Sequence, residues 1–527
     1  MNALIPLLVV TPLAAAALAL TVSRRTRWQI VIAALSMLVT LGVSVALLLA
    51  VHLGDAPLVV NVGGWAAPFG IALVVDRLSA LMVTVTSVVL FAVLAFSIGQ
   101  GAADGDAETP VSIFYPTYLV LAAGVYNAFI AGDLFNLFVG FEILLVASFV
   151  LITLGGTVSR IRAGVTYIVV SLVSSVLFLV AIGVVFAATG TVNMAAISAR
   201  MNEVPVDIQV LLHILLLIAF GIKAALFPLS FWLPDSYPSA PAPVTAVFAG
   251  LLTKVGVYAI LRSESLLFAV NDISILLVSV AMATMVFGIL GAVAQAGIRR
   301  LLSFTLVSHI GYMIFGIALG TAAGWGATVF YIVHHILVQT TLFLVTGLIE
   351  RVAGTSNLTK LGGMQTRAPL IAVLFFIPML NLAGIPPFSG FLGKLGLFVA
   401  GAEGTSLNVP QPLVWVAIAV GTLTSLLTLY ALIRVWNLGF WRTEREAAEV
   451  EPPFAAALEV IEGDEVVAAS RTNSRLMTGA TITMVAATVA LTVFAGPITD
   501  IAAAAGENLL DPQQYIDTVT VSTGVKP

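Results

Sequence analysis

The chain is a succession of apolar stretches, most of them about 17 to 25 residues long, with little else between them. A stretch of that length crosses the roughly 30 Å hydrocarbon core of a bilayer as an α-helix. Membrane strands would instead give alternating segments of about ten residues, and these stretches do not alternate. Charged residues fill only 9% of the 527 positions, too few to cover a water-soluble protein of this size. The expected fold is an all-α polytopic membrane protein. Cysteine is absent, which rules out thiolate-held iron–sulfur clusters, disulfides and Cys-bound zinc. No cofactor loop, nucleophile constellation or convergent set of metal ligands is present, so no cofactor, no metal and no covalent catalysis are expected. The small, dispersed net charge of −4 gives no reason to expect a nucleic-acid partner.

Fourteen apolar runs can be drawn: 3–22, 28–52, 72–98, 113–131, 134–154, 162–188, 208–232, 241–262, 272–294, 300–319, 326–348, 368–402 (interrupted), 412–440 and 477–499. The segment 441–476, opening WRTEREAAEVEPP, reads as the one long charged linker, and 500–527 as a polar tail. No separate soluble domain fits. Met1 to Leu20 is apolar from the start, with Arg24, Arg25 and Arg27 behind it. A cleavable signal peptide has the reverse order, so this is a retained first span with its N-terminus outside.

Positive charge tests the count. Loops after odd-numbered runs hold Arg24, Arg25, Arg27, Arg160, Arg162, Arg299, Arg300, Arg351, Lys360, Arg367, Arg442, Arg445, Arg471 and Arg475. Loops after even-numbered runs hold Arg200, Arg262 and, at a boundary, Arg77. The positive-inside rule places the odd loops in the cytoplasm and both termini outside, in a multi-pass protein of the cell inner (plasma) membrane. A miscounted run would scramble this pattern.

Three of the five lysines, Lys223, Lys254 and Lys394, lie inside apolar runs, as does Glu142. Each such residue costs roughly 2.5–3.5 kcal/mol at mid-bilayer, so four together cost on the order of 10 kcal/mol. Lys254 is some thirteen residues into its run, too deep to snorkel. Structural ion pairs alone would not retain three lysines against one deep glutamate, so the set reads as an ion-transfer path. Glu142 needs a buried cation, and Lys223 is the first candidate. Asp133, nine residues before Glu142, lies half a turn out of phase and reads as a helix N-terminal acid.

Lys223 stands in LLLIAFGIKAALFPLSFWLPDSYP, ahead of Pro228 and Pro234, and Lys394 in NLAGIPPFSGFLGKLGLF, behind Pro386 and Pro387. Proline removes a donor and clashes with the preceding turn, so both runs should be broken helices lining a wet or protein-walled cavity. Paired breaks in two halves of a transporter point to its substrate path, with Lys223 and Lys394 at corresponding points. His334 and His335 share their run with Gln339, Thr340 and Thr341, and His309 lies in LVSHIGYM. Histidine titrates near neutrality and suits a relay, which favours His334, with His309, His335 and Gln339 as possible participants. His213 is a weaker case, and His52 is bland.

The stretch AFGIKAALFPLSFWLPDSYPSAPAPVTAVFAGLLTKVGVYAILR resembles the signature of the antiporter-like subunits of respiratory complex I, membrane-bound hydrogenases and Mrp-type multisubunit cation/proton antiporters. DLFNLFVGFEILL, IRRLLSFTLVSHIGYM and GIPPFSGFLGKL match further parts of it, over roughly 65–440. The PDSYPSAPAPVTA reading and a lysine in the twelfth run make the chain most similar to the Mrp-type antiporter branch of that family. Gln339 departs from the charged or different polar residue that many members carry there.

The resemblance implies about 14 transmembrane helices in two inverted five-helix repeats (spans four to eight and nine to thirteen) with broken seventh and twelfth helices. The chain then divides into an N-terminal three-helix segment (1–112), the two repeats (113–262 and 263–440), and a linker, last helix and tail (441–527). Glu142 and Lys223 would be the charge pair of the first half-channel, Lys254 the bridge, His334 the link and Lys394 the exit. The implied function is proton translocation within a Na+/H+ antiporter complex, with its other subunits and the bilayer as partners. The alternative is a redox-driven pump component of complex I or a hydrogenase.

Overall fold

The computed structural model describes residues 1–54, 56–101, 111–268, 273–404, 408–448 and 474–521. Thirteen of its helices are long and apolar enough to cross a bilayer, and two shorter apolar helices share the twelfth run, giving the fourteen expected crossings. In chain order, α1 (Leu7–Thr21) and α2 (Thr26–Gly54) lead into an antiparallel hairpin of β1 (Leu58–Asn61) and β2 (Ala72–Val75), with Leu58 opposite Val75. Then come α3 (Arg77–Gln100), α4 (Val111–Ile130), α5 (Leu134–Ile152), α6 (Val158–Thr189), the short α7 (Met194–Met201) and α8 (Val206–Ala224). After a break, α9 (Trp232–Ser236) precedes α10 (Ala242–Val247), which passes through a π turn at Phe248–Leu252 into α11 (Thr253–Leu266). The second half holds α12 (Ser274–Ala294), α13 (Ile298–Ala318), α14 (Ala322–Ala353), α15 (Met364–Arg367), α16 (Pro369–Ala383), α17 (Ser389–Ala402) and α18 (Gln411–Trp436). The chain closes with α19 (Glu444–Ala448), α20 (Ser474–Val493), α21 (Ala495–Leu510) and α22 (Gln513–Val521).

Local chemistry sets the boundaries. Asp76, Asp133, Thr157, Asn193 and Thr321 each accept a backbone N–H from the first turn of the helix they precede. Gly101, Gly190, Gly354 and Gly384 end helices in the left-handed conformation. Asp133 is thus the N-terminal acid its phase suggested. The α10–α11 unit, α13 and α14 form the enclosed centre. The long α6 turns Val165, Val169, Leu172, Val176 and Leu179 outward, an apolar stripe at helical spacing.

The arginine-bearing loops do meet at one end. Arg299 donates to Pro238 O (3.1 Å) and Ala240 O (2.7 Å) and pairs with Glu350. Arg434 donates to Val293 O (2.6 Å), and Arg442 to Leu361 O (2.6 Å). The loops after the seventh, ninth, eleventh and thirteenth runs are thereby tied together, as the alternation of charge requires.

Two expectations fail at the opposite end, which carries the hairpin. The segment after 500 is no loose polar tail. It forms α21 and α22, which bury Ala502, Ala505, Leu509, Tyr515 and Val519. A Cβ on Gly506 would stand 2.3 Å from Ala322 O and 2.6 Å from Gly326 N, so α21 lies against the backbone of α14. Arg77 and Arg262 are not loop charges but buried residues of α3 and α11. The linker expected over 441–476 falls largely outside the described residues, as does Lys526.

Candidate functional site: a buried line of charge and hydroxyl groups

The first break begins where Ala225 takes a left-handed conformation (φ 60°) and ends α8 two residues after Lys223. The chain turns through Pro228, and Trp232 Nε1 reaches back to Ile222 O at 3.1 Å. Lys223 is half-buried, donates to Ser175 Oγ on α6 (3.1 Å) and lies 4.8 Å from the centre of the Phe141 ring. It lines a cavity of about 30 Å³ with Tyr167, Ser171, Ser174 and Trp232, room for about one water. Glu142 is half-buried on α5, and its Oε1 is buried without a hydrogen-bond partner among the described residues. The expected contact ion pair between Glu142 and Lys223 is not formed. The lysine bonds to Ser175 of α6 instead.

Lys254 has no solvent exposure. Its ammonium folds onto its own π turn and donates to Ala249 O at 2.6 Å. An ammonium carries three donors, and Ala249 O takes one of them. The π turn also lies against α14: a Cβ on Gly250 would stand 2.2 Å from Thr340 Oγ1.

The second break separates α16 from α17. Gly384 ends α16 at φ 85°, and Asn381 Oδ1 accepts from Gly390 N (2.9 Å) and Ser389 Oγ (3.2 Å). A Cβ at position 390 would lie 1.9 Å from Asn381 O, so only glycine fits. Lys394, 4% exposed, donates to Leu382 O (3.1 Å), Ala383 O (3.0 Å) and Ser425 Oγ (2.8 Å). Its ammonium thus sits on the last carbonyls of α16, where the helix dipole favours a cation.

Between the lysines lie the histidines. His309 Nδ1 and the Tyr331 hydroxyl are 2.7 Å apart, and His334 Nδ1 and Ser389 Oγ 3.0 Å. The His309 and His335 rings are 5.2 Å apart, centre to centre, and both His335 nitrogens are buried without a partner among the described residues. Gln339 Nε2 donates to Leu302 O (2.7 Å), and its Oε1 is unpartnered in the same sense. Tyr331 lies 5.5 Å from His334 and 5.7 Å from Tyr312, whose ring is 5.2 Å from Lys394 Nζ. Buried polar groups left open in this way are satisfied by ordered water. The centre can therefore hold a chain of proton donors and acceptors from the π turn to the second break.

The structure gathers Lys254, His309, His334, His335, Gln339 and Lys394 into one enclosed region and leaves Glu142 and Lys223 at its margin. The breaks at Pro228 and at Pro386 and Pro387 occur where expected, and both read Pro-x-Ser-x-x-Leu (Pro228–Leu233, Pro387–Leu392). The lysines are not in register: Lys223 is five residues before Pro228, and Lys394 seven after Pro387. Sequence reasoning missed Tyr312, Tyr331, Ser389 and Ser425. Their signal was a polar residue within an apolar run, which is too common to single them out. It also undervalued His213, whose Nε2 is 2.6 Å from Glu264 Oε1. No group of three or more potential metal ligands occurs among the described residues.

A fourteen-crossing bundle with two broken helices and enclosed lysines defines a class. Residues 131–428 match the family described as "NADH:quinone oxidoreductase/Mrp antiporter, TM", and the chain belongs to that family. Among its relatives, the D subunit of the Na(+)/H(+) antiporter of Alkalihalophilus pseudofirmus is 37% identical over 88% of each chain. The same component from Bacillus subtilis is 35% identical over 87% of each. A chain of the Mrp complex from Dietzia sp. DQ12-45-1b superposes with a TM-score of 0.86 at 31% identity, over 99% of this chain and 100% of the other.

Proposed function

We propose that the chain is the proton-translocating subunit of a multisubunit Na+/H+ antiporter, working in the plasma membrane with both termini outside. The observation that carries this reading is the enclosed line of ionisable and hydroxyl groups joining the π turn to the second break. It occurs in a chain whose relatives are named as components of Na+/H+ antiporters. Those names favour cation exchange over redox-driven pumping. A line of this kind needs an end open to each side. Glu142 and Lys223, at the margin beside a water-sized cavity, serve one side, and Lys394 the other. Lys223 exchanges a proton with water at the first break, with Glu142 stabilising its charge. Over water, Lys254, and then His335, His309, Tyr331 and His334, the path joins it to Lys394. A proton moving inward gains about 2.3 kcal/mol per 100 mV of membrane potential, which drives the cation outward through the assembled complex. The arginine-tied end faces the cytoplasm by the positive-inside rule.

The test is Na+-dependent proton exchange in everted vesicles carrying the whole complex. Glu142→Ala and Lys223→Ala each lower exchange about 100-fold while the complex still co-purifies with its partner subunits. Full exchange in either assembled variant would refute the path.

A further inference from the structure

Lys254, Tyr258 and Arg262 recur every fourth residue along α11, so they form one stripe. It rises about 12 Å from the central lysine toward the hairpin end. All three are buried. Tyr258 OH donates to Phe129 O (2.8 Å) and lies 3.3 Å from Ser79 Oγ. Arg262 holds Asp76 with two hydrogen bonds (2.7 and 2.9 Å) and also donates to Ser79 Oγ (3.2 Å) and to Tyr258 OH (3.2 Å from Nη2, 3.3 Å from Nε). Tyr515 of α22 lays its ring 5.4 Å from the guanidinium carbon. Beyond the pair, a small cavity at the hairpin end is lined by Asp76, Arg77, Arg262, Asn508, Gln514 and Tyr515.

The Ser79 and Tyr258 hydroxyls line the way from the cavity toward Lys254, which stands one helical turn beyond Tyr258. Arg262 interrupts it with a charge that cannot be given up, because guanidinium does not deprotonate in proteins. A fixed cation in a narrow polar passage repels protons and cations alike. Burial raises the Asp76 carboxyl, and the Arg262 guanidinium more than offsets this, holding it below its usual value. Asp76 therefore stays ionised and anchors the cation. Lys254 turns its ammonium the other way, onto Ala249 O.

We propose that Arg262, anchored by Asp76 and covered by Tyr515, is an electrostatic seal that closes the outer end of the Lys254 stripe and keeps the translocated proton on the route to Lys394. This rests on the proposed function, which supplies the proton at Lys254 and the outward orientation of the hairpin end.

The experiment uses the whole complex in proteoliposomes. Passive proton influx is driven by a potassium diffusion potential in sodium-free medium and read by an internal pH dye. Arg262→Gln raises the influx at least about tenfold, since it removes the fixed cation from the passage. Asp76→Asn, which breaks the pair but keeps the cation, stays as tight as the parent, and so does Arg262→Lys. Tyr258→Phe added to Arg262→Gln lowers the influx again, because the hydroxyl carries it. Should Arg262→Gln fail to assemble, Asp76→Asn/Arg262→Gln leaves no unpaired buried charge and must leak as well. A pair that serves only to hold helices together would make Asp76→Asn and Arg262→Gln alike. Equal leak in both, or leak in neither, overturns the seal. Sodium-driven exchange in the same vesicles separately tests the underlying function, so the two failures are distinguishable.

Discussion

Lys223 and Lys394 stand beside two breaks built on the same short pattern, yet their surroundings differ. Lys223 is half-buried, with one hydroxyl acceptor, an aromatic face and a water-sized cavity. Lys394 is enclosed, with two helix-terminal carbonyls and a hydroxyl. The three N–H groups of Lys394 thus each have a protein acceptor, whereas Lys223 leans on a single serine beside the cavity. On the proposed path, the first break is the one with room for water and the second is the enclosed one. The difference follows from register, since one lysine ends the helix before its break and the other reaches back to such an end.

The largest effects come from removing either ammonium. Lys223→Ala and Lys394→Ala each lower exchange about 100-fold, the low end of what a positioned proton carrier contributes. Retained exchange in one of them, measured in everted vesicles, would make that break dispensable. Arginine separates the two, because it keeps the charge but not the proton transfer. Lys223→Arg assembles normally and is inactive, having a cavity beside it. Lys394→Arg also loses assembly, scored by co-purified partner subunits, because the site is closed: even a Cβ at Gly384 would be 3.1 Å from the Lys394 side chain. The backbone gives a third contrast. Gly390→Ala destabilises the purified complex by about 2 kcal/mol through overpacking. Gly221→Ala, whose Cβ would meet nothing nearer than 3.6 Å, leaves the melting temperature essentially unchanged. Smallest is the loss of one hydroxyl. Ser175→Ala slows exchange about tenfold, as expected for the sole hydrogen bond to a charged group, and Ser425→Ala about threefold, since two carbonyls remain.

The bundle itself was legible because span length, charge asymmetry and proline placement act locally. So was the expense of the interior lysines, a matter of cost and not of contact. What could not be read depends on segments far apart in the chain. Arg262 counted as a loop charge because its partner, Asp76, is 186 residues away. The residues after 500 looked polar because the face that meets α14 is made of alanine and glycine, which carry little hydropathy. Glu142 and Lys223 were paired by sign and by the family resemblance, whereas the direct hydrogen bond of the lysine goes to Ser175. Tyr312 and Tyr331 gave no warning, since tyrosine is an ordinary interior residue until its hydroxyl is seen beside a histidine.

The central helix α14 spans 32 residues, about 48 Å, and is longer than the membrane core is thick. One end is pinned by Glu350 to Arg299, and the other by the close backbone approach of α21. A beam clamped at both ends neither tilts nor slides without breaking a clamp. Any shift of α14 against the rest of the bundle therefore costs the Glu350–Arg299 pair or the α21 contact.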